Sequence, residues 1–325
     1  YNKYLDLFPE SPKAHETLGD FYHYQFDYQK ADEHYLQAEM LGAKRMAFKA
    51  GYLVNTGKLN KWNLDSYLEE YNKLLIDASL EDSMIIYDWI SSTTLDHGKM
   101  NLTVDYLHKY KKLLNINRGL VMSYLNVNLD LAMAYGRLGE FEKARLIIDE
   151  GKVLPVPLDK VYHSLERFFY EDTNQFDKLR DVLQHSIDAE HSAGMEELFI
   201  REHLMCKGRL SFEEKQYNNA INFFKQSLDI DRTLSNLKSY IYLAKTYMVL
   251  NNQSDAEEIF RLAYKYTYQD DAWLNYEYAI FLEGIGEIDK SRDYITKAYN
   301  KYKDADHELE LAQNIWKKYK EMNLR

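Results

Sequence analysis

The chain's single cysteine, Cys206, has His203 one helical turn before it. Such a pair offers two ligands to a zinc ion, or a thiol with an imidazole base. Neither chemistry is completed. Four-coordination needs a second pair of ligands at metal spacing, and none accompanies this one. Nucleophilic attack needs a strained turn and an oxyanion site, whereas the surrounding residues read as helix interior. Asp172-Thr173-Asn174 begins like a calcium loop but lacks the glycine and the closing glutamate. Glu171 and Asp172 could serve a glycosidase built on a helical toroid if their pKa were raised, though nothing in the spacing demands it. No G-x-x-x-x-G-K-[ST], G-x-G-x-x-G, H-E-x-x-H or paired C-x-x-C motif is present. These residues therefore point to a chain that is not an enzyme and holds no cofactor or metal.

Composition narrows the remaining classes. Glycine (13) and proline (4) are sparse, so little of the chain is turn-rich or β-like. Hydrophobic residues make up 46%, enough for a core, and 29 tyrosines with 14 phenylalanines supply large flat packing surfaces. The net charge of −11 argues against sequence-independent nucleic-acid binding, which needs a basic stripe to release counterions. No apolar run approaches the ~20 residues of a membrane span, so no direct membrane insertion is expected. One cysteine rules out an internal disulfide framework. With no secretory signal at its start the chain reads as cytoplasmic, although its compartment stays open. Asn101-Leu102-Thr103 and Asn252-Gln253-Ser254 then read as chance sequons.

What must position any functional surface is a repeat. Five times a small residue is followed at +12 and +19 by two more: Gly19, Ala31, Ala38; Ala132, Ala144, Gly151; Gly208, Ala220, Ser227; Ala244, Ala256, Ala263; and Ala279, Ser291, Ala298. This offset fits a helical hairpin whose two helices cross closely, where a larger side chain would push the backbones apart. Successive markers lie 36 (Gly208 to Ala244) and 35 (Ala244 to Ala279) residues apart, and the longer gaps hold three degenerate units. One places Arg167, Leu179, Leu183 and Ser186 at the offsets. Another places Ser92 and Val104 there but departs at His108 and Lys111. The third runs from about Lys44 to Asp77, with a loop over 57–63 between its helices. Eight pairs result. A final amphipathic helix over 306–322, with Leu309, Ala312, Ile315, Trp316 and Tyr319 on one side, is suited to cap the last apolar face. Pro155 and Pro157 mark either an inter-repeat loop or a bend near 151–158. Tyr1–Phe8 reads as the tail of a truncated ninth unit, as if the chain were part of a longer protein.

The pattern resembles the tetratricopeptide repeat. Leu18-Gly19, Tyr22, Asp27-Tyr28, Ala31, Tyr35 and Ala38 carry the signature most fully, and the last three units repeat it around Gly208, Ala244 and Ala279. The resemblance spans nearly all of residues 1–325 and implies one array: an all-α, right-handed solenoid of eight antiparallel helix pairs with a C-terminal cap. It also implies a scaffold whose first helices line a concave groove for a protein or peptide segment. Carried over by offset, the groove presents Trp89, Phe168, Met205, Arg209, Phe212, Ile241, Lys245 and Tyr276, among others. Arg209, Lys238 and Lys245 form its basic cluster, able to meet a partner carboxylate or simply solvated beside Glu202 and Glu213. Glu16, Asp20, Trp89, Thr93, Leu129 and Met133 stand where chaperone-tail binders of this family carry Lys and Asn, which disfavours that ligand. The alternative function is a peptide-sensing regulatory domain attached to an output domain.

Overall fold

A computed structural model describes residues 7–116, 121–150, 162–233, 236–267 and 269–323. Among them are 17 α-helices and no strand. The first six are α1 (Pro12–Tyr24), α2 (Tyr28–Met40), α3 (Met46–Asn60), α4 (Leu64–Leu75), α5 (Leu80–Asp96) and α6 (Met100–Ile116). Next come α7 (Val121–Arg137), α8 (Phe141–Glu150), α9 (Tyr162–Asp172), α10 (Phe176–Ser192), α11 (Glu196–Glu213) and α12 (Tyr217–Ile230). The last five are α13 (Leu237–Val249), α14 (Gln253–Tyr266), α15 (Ala272–Gly284), α16 (Ile288–Tyr302) and α17 (Glu310–Asn323). They form eight pairs and one terminal helix. Packing groups them into two compact units: Tyr1–His97 with Leu102–Val121, and Gly98–Asn101 with Met122–Arg325. Unit 1 thus carries three pairs, and unit 2 carries five pairs with α17. The bend expected near 151–158 lies outside the described residues.

One rule of spacing generates all eight pairs. Each first helix ends five residues after its marker and each second helix begins nine after it, as in Gly19, Tyr24 and Tyr28. Applied to the degenerate units, the rule assigns their markers to Asn55, Ser91 and Arg167. The expected marker Ser92 is therefore one residue out of register: Ser92 is exposed, while Ser91 and its +12 partner Thr103 are buried. The loop expected over 57–63 is also shorter, because α3 continues to Asn60. Gly57 is not a loop residue. It is the bare spot of α3 against which the Tyr67 ring packs, and a Cβ there would lie 2.2 Å from that ring.

The small residues do what their size suggests. Ala31, Ala38, Ala132, Ala144, Ala220, Ser227, Ala244, Ala256, Ala263, Ala279, Ser291 and Ala298 have no more than 1% of their surface exposed. At Gly19 an added Cβ would sit 2.4 Å from Tyr35, and at Gly208 2.5 Å from Phe224. Each ring belongs to the second helix of the same pair, sixteen residues on, so the aromatic fills the space that the missing side chain leaves.

The turn inside seven of the eight pairs shares one geometry, and the Asn55 pair makes its left-handed residue one position earlier, at Lys61. Seven residues after the marker the backbone turns left-handed at Phe26, Gly98, Gly139, Asn174, Lys215, Asn251 and Gly286. The next N–H then reaches back five residues, for example Asp27 to the Tyr22 carbonyl (3.0 Å) and Gln216 to Ser211 (2.8 Å). This closes the helix end and reverses the chain in three residues. Four of these positions are not glycine, so pairing of the helices outweighs a local cost of roughly 1 kcal/mol each.

At the C-terminus, α17 begins at Glu310, later than the expected 306, and turns Ala312, Ile315 and Met322 inward. The Tyr319 ring stacks on Tyr299 at 3.9 Å, and Trp316 donates to the Tyr302 carbonyl at 2.9 Å. This helix covers α16 within unit 2.

Ala244→Leu should lower the unfolding free energy by about 1–3 kcal/mol, because its extra methylenes enter a crossing with no free volume. Urea melts that overlay the wild type would refute the close-crossing argument.

Candidate functional site

Unit 2 carries a run of charged and aromatic side chains on its first helices. Arg137, at the end of α7, places Nε and Nη2 on the two carboxylate oxygens of Asp172 at 2.8 and 2.9 Å. Asp172 ends α9 beside Glu171. Lys238, at the start of α13, reaches both: 2.5 Å to Glu171 and 3.0 Å to Asp172. Arg209 of α11 ion-pairs with Glu171 and donates to the Asn174 side chain at 2.5 Å. A second pair follows, with Lys245 of α13 at 2.9 Å from Glu277 of α15 and the Trp273 indole donating to the same carboxylate at 3.1 Å.

Tyr242 is the hub between the two. The Arg209 guanidinium lies 4.0 Å from its ring centre and the Lys245 ammonium 5.5 Å. Phe212 and Trp273 meet it edge-on at 5.8 and 6.0 Å. Cations over an aromatic face gain from its quadrupole, more so when little water intervenes.

With Arg209 the exception at 3% exposed, burial sorts these groups by sign. The side chains of Glu171 and Asp172 are only 1% and 4% exposed, whereas those of Arg137, Lys238 and Lys245 are 29%, 28% and 31% exposed. Burial alone would raise the Asp172 carboxyl, but Arg137 and Lys238 outweigh it and hold the group well below the usual carboxylate range. Burial likewise opposes the charge on Lys238, and Glu171 and Asp172 outweigh that, keeping its pKa above the ordinary value. A glycosidase acid would need the opposite shift, so Asp172 is not prepared for that chemistry.

The expected groove residues divide three ways. Arg209, Phe212 and Lys245 are brought together around Tyr242, but Arg209 is buried and paired inside the protein rather than displayed. Met205 and Ile241 are buried as well. Phe168 is half-buried under the Arg167 guanidinium, 4.3 Å from its ring centre, and meets Phe199 edge-on. Tyr276 is half-buried against Ala272, Ala279 and their neighbours. Trp89 belongs to unit 1, where it packs on Ile86, Ile90 and the two tyrosines of α4. Tyr242 and Glu277 were missed by sequence reasoning. Both lie two residues before a marker, an offset that was not assigned to the groove.

His203 and Cys206 are likewise separated by their contacts. His203 bonds Glu190 through Nε2, and Cys206 faces Arg167 at 4.0 Å. Burial pushes the thiol up to about 11, far from a thiolate at neutral pH. Glu190 is the focus of a second buried cluster, with Arg167, Ser164, Ser186 and His203 all directed at its carboxylate. Burial would raise this carboxyl too, but His203, Arg167 and Ser164 bring it down to about 2. Among the described residues, no group of three His, Cys, Asp or Glu is placed to hold a metal ion.

Asp172→Asn should cost about 3–5 kcal/mol, because it removes half the negative charge facing Arg137 and Lys238 in a buried setting. Full stability retained in urea melts would show the network to be energetically idle. Both depressed carboxyls give stability that is complete above their unfolded pKa, about 4, and is lost as pH falls towards 2. Unfolding free energy should therefore drop steeply between roughly pH 4.5 and 2. Glu190→Gln should flatten that slope, and an unchanged slope would remove Glu190 from the account.

A tetratricopeptide-repeat family model matches residues 207–234, the last turns of α11 with all of α12, including marker Gly208. No curated protein matches the chain at the level of sequence. Among solved structures, the anaphase-promoting-complex hetero-tetramer Cut9–Hcn1 matches 94% of this chain at 16% identity with a TM-score of 0.56. The chain spans 63% of the length of the one it matches there. NprR in complex with its cognate peptide NprX matches 96% of this chain and 99% of its own, at 14% identity and a TM-score of 0.52. At these identities the likeness is one of fold, and this fold is generally a non-catalytic scaffold. The family-model match over one repeat, the shared fold of these solved structures and the spacing rule that recurs eight times together support a tetratricopeptide-repeat protein, with degenerate units at Asn55, Ser91 and Arg167.

Proposed function

We propose that this protein is a scaffold whose unit 2 holds a partner protein or peptide segment against the first helices α7, α9, α11, α13 and α15. One observation carries the reading: the side chains on these helices are fixed to one another across repeats. Lys238 on α13 reaches past α11 to Glu171 and Asp172 on α9. A surface already ordered in this way binds without a large conformational cost of its own, leaving the ordering to the partner. Phe212, Lys245 and Tyr276 supply anchors of the aromatic and cationic kinds that dominate interface energetics, with Phe168 and buried Arg209 beside them. Trp89 would serve a corresponding surface of unit 1.

A second reading, peptide sensing coupled to an output domain, is supported by the fold match to NprR, which was crystallised with a peptide. It differs in requiring that binding change the shape of the array. Small-angle scattering with and without a bound peptide separates the two, since a passive scaffold keeps its radius of gyration.

Binding to panels of short fluorescent peptides tests the shared claim. Phe212→Ala should weaken the best binder at least tenfold, about 1.4 kcal/mol, at temperatures where the variant stays folded. Leu146→Ser, at an exposed position of the second helix α8, should leave binding unchanged. The reverse pattern would place the binding surface on the second helices and end the groove reading.

A further inference from the structure

We propose that His15 and His34 form a binding site for a transition-metal dication, zinc or copper(II), which ties α1 to α2. The site lies in unit 1 and is independent of the groove reading above.

Three observations converge. First, the two rings meet nitrogen to nitrogen. Nδ1 of His15 lies 3.2 Å from Nδ1 of His34, with the ring centres 5.4 Å apart. Two imidazole nitrogens on one zinc ion, each about 2.0–2.1 Å from it at a tetrahedral angle, stand roughly 3.3 Å apart. An ion therefore fits between them with little movement of either helix. Second, the tautomer of His15 is fixed. Its Nε2 lies 3.1 Å from the Pro9 carbonyl oxygen, which only accepts, so the proton is on Nε2 and Nδ1 presents a lone pair. Histidine ligands are ordinarily oriented in this way, by giving the other N–H to a carbonyl or carboxylate. Third, His34 is kept uncharged and in place. Burial, and after it His15, lower its pKa against the opposing effect of Glu33, and the neutral ring is the form that ligates. Tyr22 stacks on that ring, the two planes 3° from parallel. Without an ion, His34 donates its Nδ1 proton to His15; with one, that proton sits on Nε2 and the rest of the pair is unchanged.

The surroundings decide which ions suit the site. Nearby cations are taken up by other partners, Lys13 and Arg45 by Glu16 and Lys30 by Asp27. Among the described residues, no third His, Cys, Asp or Glu joins the two nitrogens. Water supplies the remaining ligands on the side where His34 is partly exposed. Nitrogen ligands without an oxygen cage select zinc or copper over calcium or magnesium. Two protein ligands fall short of the four that close a structural zinc site, so the ion exchanges with solution. Its effect falls on the first pair: the ligands are 19 residues apart on facing helices, and a shared ion cross-links them beside the Gly19 crossing.

Isothermal titration of zinc chloride into the chelator-treated full chain, with magnesium chloride as the comparison, tests the site. Zinc should bind saturably at one tight site per chain, and magnesium should not. His34→Gln should weaken zinc at least tenfold, since losing even a group that merely orients a ligand costs about that much. His191→Gln, at an exposed histidine of α10, should leave the affinity unchanged. Hydrogen exchange locates the ion: with free zinc at about ten times its dissociation constant, opening of residues 12–40 should slow roughly tenfold. Should His34→Gln unfold the first pair, electron paramagnetic resonance of the unmutated chain with one equivalent of copper(II) decides, and coupling to two imidazole nitrogens is expected. Four results overturn the proposal: no saturable zinc binding, equal binding of magnesium, zinc affinity untouched by His34→Gln in a folded chain, or copper held through fewer than two imidazole nitrogens. None of them bears on the groove of unit 2.

Discussion

Two helices can cross closely only where neither presents a side chain larger than its backbone allows. In this chain small residues meet that constraint in the five pairs marked by Gly19, Ala132, Gly208, Ala244 and Ala279, at one position of the first helix and at two positions a couple of turns apart on the second. The aromatic or aliphatic residue between the two, such as Tyr35, Phe224 or Phe260, then enters the cleft and is fully enclosed. The left-handed turn seven residues after the marker follows from the same geometry. The chain has to reverse within three residues if the second helix is to lie along the first, and it does so even at Phe26 and Lys215, where the backbone resists. All other contacts in the protein are built on this crossing.

Where the crossing residue is not small, the chain compensates chemically. Arg167 occupies a marker position and is wholly enclosed, its guanidinium directed to Ser186 and Glu190. Asn55 does the same in unit 1, donating to the Tyr28 carbonyl at 3.0 Å and meeting the His23 ring at 3.1 Å. In these units a polar network occupies the volume that a tight apolar crossing leaves out elsewhere. Such networks are stable only when complete, since a buried charge without its partner is strongly unfavourable.

These differences decide what the sequence reveals. Helix pairs around Gly19, Ala132, Gly208, Ala244 and Ala279 are legible, because steric limits depend on residue size at fixed spacing and on nothing distant. Ser91 and Asn55 are harder to read. A polar residue at a crossing resembles any surface residue, and choosing Ser92 over Ser91 turns the helix face by about 100°. For the candidate site, the offsets place Arg209, Lys245 and Phe212 together. They say nothing of what pairs with them. Glu171 and Lys238 are 67 residues apart, and their meeting depends on how far the stacked pairs of unit 2 curve, a sum of small rotations with no local signature.

Lys238 has one more effect, on how the array comes apart. In a stack where each repeat touches only its neighbours, stability is a sum of nearest-neighbour terms, and units can be lost singly from an end. The ammonium of Lys238 ties the pair α13–α14 to the pair α9–α10 and skips the one between. Arg209, on the skipped pair, holds the same Glu171 carboxylate. Opening any of these three pairs strands a buried charge on the others, so they form one cooperative block inside a chain that otherwise opens piecemeal. Fraying that enters unit 2 from α17 therefore meets a step at α13 in place of a gradual slope.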